Sequence, residues 1–193
     1  IIPRMYALVV GTSNYAGERL DLRFADQDAT AMATSLTGAC GALFGADRTE
    51  VRLLCTASGV AGGDASNGKS GTGVSSKANI RQAFADIAAK ATPADVLVVY
   101  FSGHGLAYGP AEKEQFYYLT KDIASEDLSD PEVRSNFTIS SDELTEWIKA
   151  IPALKQVLIF DACNSGKIVE SLAAIGQKDL NPSQVRALDR MKD

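Results

Sequence analysis

Two short apolar stretches decide the fold of this chain, MYALVVG at residues 5–11 and DVLVVYFS at residues 95–102. Each is rich in Val and Leu and too short for a typical buried helix, which is typical of a strand covered on both faces of a parallel sheet. The segments Val51–Thr56 and Gln156–Ala162 have the same character. The sequence therefore predicts four core strands of an α/β domain.

Helical patterns separate these strands. Asp26–Leu36 and Ala78–Ala91 carry apolar residues at spacings of three and four, and Ser141–Ile151 opens with acidic residues that suit a helix N-terminus. The alternation predicts a doubly wound, mostly parallel sheet with helices on both faces and a ligand site at the carboxyl ends of the strands. A last helix is expected from Lys167 to about Ile175.

Two stretches are expected to be surface loops. They are the Gly/Ser-rich stretch Ser58–Gly73 and the acidic stretch Asp122–Asn136, which carries Pro131.

The amino-acid composition of the chain argues against several classes of function. The 193 residues, 46% of them hydrophobic, fit one globular domain. A net charge of −5 without any basic cluster argues against nucleic acid as a partner, and no apolar run reaches the ~20 residues that a membrane span needs. Three widely spaced cysteines fit neither a disulfide framework nor a zinc site, so a reducing, cytoplasmic location is expected.

Two motifs follow predicted strands. FSGHG at residues 101–105 contains His104, the only histidine, whose flanking glycines are expected to leave its ring exposed. FDACNSG at residues 160–166 contains Cys163. A cysteine nucleophile needs a base or an electropositive neighbour to raise its thiolate fraction, and both motifs lie at the edge where the site is expected. Cys40 and Cys55 lack such a setting and are expected to be structural.

The paired motifs resemble those of caspase-like cysteine peptidases. Cys163 follows His104 by 59 residues, and the sequence around it is similar to the D-x-C-H/R-S-G motif that follows S-G-H-G in the metacaspase and orthocaspase branch. Asn164 departs from that pattern at its variable position. The resemblance implies a Cys163 nucleophile, His104 as the proton carrier, and an oxyanion hole formed by the backbone N–H groups of Gly105 and Cys163.

The resemblance also implies a substrate preference. The stretch LRFADQDA at residues 22–29 is similar to the metacaspase L-R-G-C-x-N-D-A stretch, which places Asp28 on the acid of the first specificity pocket (S1). Ser102 and Asp161 complete the expected pocket, with the Asp161 carboxylate expected at a buried strand end. Two carboxylates favour cleavage after Arg, then Lys. The alternative for Asp28 is an acid that only suits the first turn of its helix.

Metal, partner and domain expectations complete this interpretation. The positions matching the calcium site of metacaspases hold Gln115, Ser141 and Asp142, only one of them a carboxylate, so no metal cofactor is expected and calcium is not favoured. Residues 1–176 are expected to form the catalytic, large-subunit-like domain and residues 177–193 a linker or processing region. The small-subunit strands are expected from a second chain or a downstream segment, and protein substrates are the other expected partners. Autoprocessing is one explanation of why the sequence ends at Asp193.

Two rival functions remain open. One rival is a nucleotide-binding protein, since residues 63–70, GDASNGKS, match a phosphate-binding loop. The following Gly71-Thr72-Gly73 would break the helix that such a loop needs. The other rival is a catalytically inactive interaction protein that keeps the fold.

Overall fold

A five-stranded parallel sheet forms the centre of the domain in a computed structural model, which describes residues 2–56 and 70–162, with the backbone alone at residues 70–72. Its strands, numbered along the whole chain, are β1 (Met5–Gly11), β2 (Thr49–Cys55), β3 (Ser70–Val74), β4 (Val96–Gly103) and β8 (Lys155–Ala162). They lie in the order β3-β2-β1-β4-β8. All seven residues of β1 are buried, as expected for a central strand. The predicted α/β class and the four predicted strands are confirmed.

Helices cover both faces of this sheet. Helix α1 (Ala25–Phe44) packs on one face, and α2 (Lys77–Ala88) and α4 (Ser141–Lys149) pack together on the other. Ser140 caps α4 in a capping box, one residue before the predicted start. Helix α1 extends eight residues beyond the predicted end at Leu36, because its final turns still bury side chains against the sheet and this contact outweighs the low helix propensity of two glycines.

The acidic stretch predicted to be a loop contains a helix. Pro131 occupies the first turn of α3 (Pro131–Phe137), where its missing N–H costs nothing, and the Asp130 side chain accepts a hydrogen bond from the Glu132 N–H at 2.8 Å. The prediction of a loop through Asn136 is therefore wrong. Proline marked a helix start there and not a break.

A second, antiparallel sheet was not predicted. It consists of β5 (Gly105–Tyr108), β6 (Gln115–Leu119) and β7 (Thr138–Ser140), in that order. β5 begins directly after His104, and residues 105–140 therefore form a small subdomain at the carboxyl edge of the main sheet.

The Gly/Ser-rich loop is also shorter than predicted. Residues 70–74 form β3, which pairs with β2 from Val51↔Ser70 to Cys55↔Val74. A phosphate-binding loop ending at Ser70 would need a helix to begin there, and a strand begins instead. The rest of that motif lies outside the described residues.

β8 lies at one edge of the main sheet in the described part of the chain. Every second residue of β8 faces α2 and α4. The residues between them are exposed, and they include Val157 and Ile159. Among residues 2–56 and 70–162, none of the helices has the length and apolar character needed to cross a bilayer.

Candidate active site

The carboxyl ends of β4 and β8 bring the two motifs together along the backbone. These strands pair in parallel, and Gly103 is the register partner of Ala162. His104 is the next residue after Gly103, and Cys163 is bonded to Ala162. Cys163 itself lies outside the described residues, as does the predicted helix that follows it.

His104 is held through its backbone and through its ring. The Tyr15 hydroxyl accepts the backbone N–H of His104 at 2.9 Å, and the ring Nε2 lies 2.7 Å from the carbonyl oxygen of Leu20. A carbonyl oxygen only accepts, so Nε2 must carry the proton and donate. In the neutral imidazole the lone pair is then on Nδ1, which is the nitrogen available to take a proton from a nucleophile.

The ring is less exposed than its flanking glycines suggested. It is half-buried, and its centroid lies 5.3 Å from that of Tyr15. The glycines serve the backbone instead. Gly103 has φ +150°, and a Cβ there would lie 2.9 Å from the Tyr118 hydroxyl oxygen and 3.0 Å from that of Tyr15. Only glycine allows both hydroxyls to approach this point.

Buried hydroxyl groups support the turn into His104. Tyr118 donates from its hydroxyl to the carbonyl oxygen of Ser102 at 2.9 Å, and the Tyr118 hydroxyl is also hydrogen-bonded with Thr12 Oγ1 at 2.8 Å. Thr12 Oγ1 is also bonded with Ser75 Oγ at 3.0 Å. Burial raises the pKa of Tyr118 well above its ordinary value, so this group stays a neutral donor. The network joins the ends of β1 and β4 to the start of α2.

Gly105, expected in the oxyanion hole, begins β5 and is buried opposite Tyr118. Its expected partner, the Cys163 N–H, lies outside the described residues. The oxyanion hole therefore stays a prediction.

The residues expected to form the S1 pocket surround a tyrosine that the sequence analysis did not select. Tyr100 donates to Asp161 at 3.4 Å across the β4–β8 pair. Burial raises the pKa of Tyr100; a side-chain hydrogen bond with Ser102 lowers it, and the charges of Asp161 and Asp28 raise it further. Alternation along β4 could have found Tyr100, since it precedes Ser102 by two residues and shares its face.

One expectation about this pocket is wrong. The sequence predicts a buried strand end for the Asp161 carboxylate, but both Asp161 and Asp28 are exposed, whereas Ser102 is buried. Asp161 is accessible because it lies on the exposed face of β8, an edge strand in the described part of the chain. Its charge therefore carries little desolvation penalty within the described part of the chain.

Asp26 holds the start of α1, and therefore the position of Asp28 one half-turn later. Its carboxylate accepts from the Thr56 hydroxyl at 3.0 Å and from the Ser13 N–H at 3.2 Å, while Ser13 Oγ accepts from the Asp26 N–H at 2.8 Å. Three chain segments meet at this side chain. The sequence pattern alone showed no signal for this role.

The positions matching a calcium site are arranged around a hydrogen bond. Gln115 donates through Nε2 to the Asp142 carboxylate, and Ser141 is buried beside it in the chain. Within residues 2–56 and 70–162, no three His, Cys, Asp or Glu side chains cluster in a way that could hold a metal ion.

The two described cysteines are poor nucleophiles. Cys55 is buried, and burial raises the pKa of its thiol to about 11, with a further contribution from the Asp26 charge. Burial also raises the pKa of Cys40. Both thiols are mostly protonated near neutral pH, as expected for structural residues.

Comparisons with known proteins agree with this architecture. The fold is similar to the crystal structure of protein GSU0716 from Geobacter sulfurreducens, with a TM-score of 0.55 and 19% identity over 95% of this chain. The match covers 59% of that protein, so this chain spans about three-fifths of its length. Curated protein sequences contain no match. A family model described as the caspase domain matches residues 4–190, and the chain therefore belongs to the caspase-domain family.

Proposed function

We propose that this chain is a cysteine endopeptidase that cleaves proteins after Arg, and less readily after Lys, with Cys163 and His104 as its catalytic pair. Membership of the caspase-domain family supports a cysteine-peptidase-like function. The observation that carries the finer proposal is the pairing of Gly103 with Ala162. His104 and Cys163 are the next residues in the chain, so both follow neighbouring strands at the same edge of the sheet.

The proposed reaction has two steps. His104 takes the Cys163 thiol proton on Nδ1, and the thiolate sulfur attacks the scissile carbonyl carbon. When the C–N bond breaks, the imidazolium returns the proton to the leaving amine. Water then attacks the thioester carbonyl while His104 accepts a proton from it. The C–S bond breaks, the peptide acid leaves, and the imidazolium returns the proton to the Cys163 sulfur. The N–H groups of Gly105 and Cys163 would stabilise the oxyanion in both steps.

The proposed preference for Arg rests on charge at the pocket. Asp28 and Asp161 both act on Tyr100, so two carboxylates lie near one buried phenol at the carboxyl edge. A guanidinium side chain would relieve their repulsion and find acceptors there, whereas an Asp side chain would meet like charge. Exposed carboxylates are screened by solvent, so we expect a preference of about tenfold, or ~1.4 kcal/mol.

A panel of fluorogenic peptides that differ only at the residue before the cut tests this proposal. We expect Arg peptides to be cleaved about tenfold faster than Asp peptides, with Lys between them. Asp161→Ala should remove most of that difference, and Asp127→Ala, a surface change on the loop before α3, should not. Faster cleavage of Asp peptides would contradict the proposed pocket.

Two further experiments separate the peptidase from an inactive interaction protein and test for calcium dependence. Cys163→Ala and His104→Ala should each abolish cleavage while the circular dichroism spectrum stays that of the wild type. Because the Gln115 and Asp142 positions offer one carboxylate, added calcium should not change turnover. Near-normal turnover of either variant, or a saturable calcium activation that Asp142→Ala removes, would count against these assignments.

A further inference from the structure

The loop between β1 and α1 holds His104 at two points. We propose that Tyr15 is a positioning residue, whose hydroxyl fixes the backbone of His104 so that the ring keeps its proton on Nε2 and its lone pair on Nδ1. The inference rests on the proposed function only where it concerns turnover.

The backbone of His104 is held on both sides. Its N–H donates to the Tyr15 hydroxyl at 2.9 Å, and its carbonyl oxygen accepts from the Leu119 N–H at 3.0 Å. With the backbone held, the ring orientation depends on the side-chain torsions, and the 2.7 Å contact with the Leu20 carbonyl determines it. Moving the backbone of His104 would therefore move Nε2 away from its acceptor.

Tyr15 is buried and neutral, and both properties stabilise the contact of its hydroxyl with the His104 N–H. Its side chain is 6% exposed and packs with Leu20, Leu119 and Ile123. Burial raises its pKa far above the ordinary value for tyrosine, so the phenol stays neutral across the working pH range. The contact with the His104 N–H is therefore independent of pH.

The loop between β1 and α1 links the Tyr15 contact with the His104 backbone to the Leu20 contact with the His104 ring. The Asp21 carboxylate, next to Leu20 in the chain, accepts the Tyr15 N–H at 2.8 Å. The loop is tied down further where the Ala16 N–H donates to the Lys121 carbonyl at 2.8 Å. Tyr15 and the Leu20 carbonyl thus belong to one fixed unit, and the acceptors for the backbone and the ring of His104 cannot drift apart independently.

The single histidine makes this arrangement directly measurable. In the ¹⁵N-labelled 193-residue chain, the two ring nitrogens of His104 provide the only histidine side-chain resonances. We expect the wild type to show the Nε2–H tautomer, and Tyr15→Phe to show a larger fraction of the Nδ1–H tautomer. Because the reacting groups would be misplaced, kcat should fall about tenfold while KM changes less than about twofold.

Tyr117→Phe is the matched control. It removes another tyrosine hydroxyl, one that donates to Gln115 Oε1 at 3.0 Å, and it should leave both the tautomer and kcat unchanged. If Tyr15→Phe does not fold, Asp21→Ala, a change at an exposed residue, should shift the tautomer in the same direction. An unchanged tautomer in the folded variant would overturn the proposal. If the wild type cleaves no peptide, the proposed function fails, and the tautomer still decides the role of Tyr15.

Discussion

At the scale of single residues, Asp95 shows how one carboxylate holds the start of a core strand. It is buried, and it accepts the N–H groups of Arg4 and Thr92, both at 2.7 Å. Burial alone raises the pKa of its carboxyl, but the hydrogen bonds from Arg4 and Thr92 outweigh burial and bring the pKa below its usual value. A depressed folded pKa means that the stabilisation is present above the unfolded pKa and is lost as pH falls through the folded one.

We expect Asp95→Ala to lower the free energy of unfolding by about 2–3 kcal/mol at pH 7, because two backbone donors lose their acceptor. Urea unfolding between pH 7 and pH 2 should show the difference from wild type shrinking below about pH 4. Asp122→Ala, at an exposed carboxylate beside the Lys121 ammonium, is the control and should change stability little. A difference that persists undiminished at pH 2 would contradict this account.

At the scale of elements, helix α1 carries a glycine that its packing does not require. A Cβ at Gly38 would have no atom within 4 Å, while one at Gly11, where β1 meets α1, would lie 2.5 Å from the Ala25 carbonyl oxygen. We expect Gly38→Ala to raise the thermal midpoint, with a gain of about 0.5–1 kcal/mol from the reduced entropy of the unfolded chain. Gly11→Ala should lower the midpoint, since the added methyl overpacks the strand–helix contact. Equal responses of the two variants in calorimetry would refute this explanation.

At the scale of the whole molecule, β8 is an edge strand of the main sheet among the residues that the structure describes. In the described part of the chain, Val157 and Ile159 of β8 are 48% and 37% exposed and lie on one face. The backbone N–H and C=O groups of an edge strand favour pairing with a further strand, and exposed apolar side chains on its face favour packing of a further element. We propose that a small-subunit-like chain or a downstream segment completes the sheet beside β8.

Co-expression with any polypeptide encoded directly downstream should raise soluble yield and turnover together, and should slow hydrogen exchange of the β8 amides. Exchange at the β1 amides, which lie in the centre of the sheet, is the internal control and should change less. Full activity of the isolated 193-residue chain would contradict the proposal.

Local patterns in the sequence determined the fold class, because buried parallel strands need continuous apolar runs and the intervening helices need apolar residues every three or four positions. The same patterns placed His104 and Cys163 after two predicted strands, at the carboxyl edge of the expected sheet. They misjudged Pro131 and the second half of α1, where a cap and side-chain burial outweighed the local breaker signals.

Only the tertiary structure decided how His104 is held, that Tyr100 lies among the S1 candidates, and that Asp161 is exposed. These contacts join segments far apart in the chain: Tyr15 and His104 are 89 positions apart, and Tyr100 and Asp161 are 61 apart. A hydrogen bond between such residues depends on sheet order and register, which a pattern of neighbouring residues does not contain. The sequence by itself therefore determined which residues reach the edge of the sheet, and tertiary packing decided which atoms meet there.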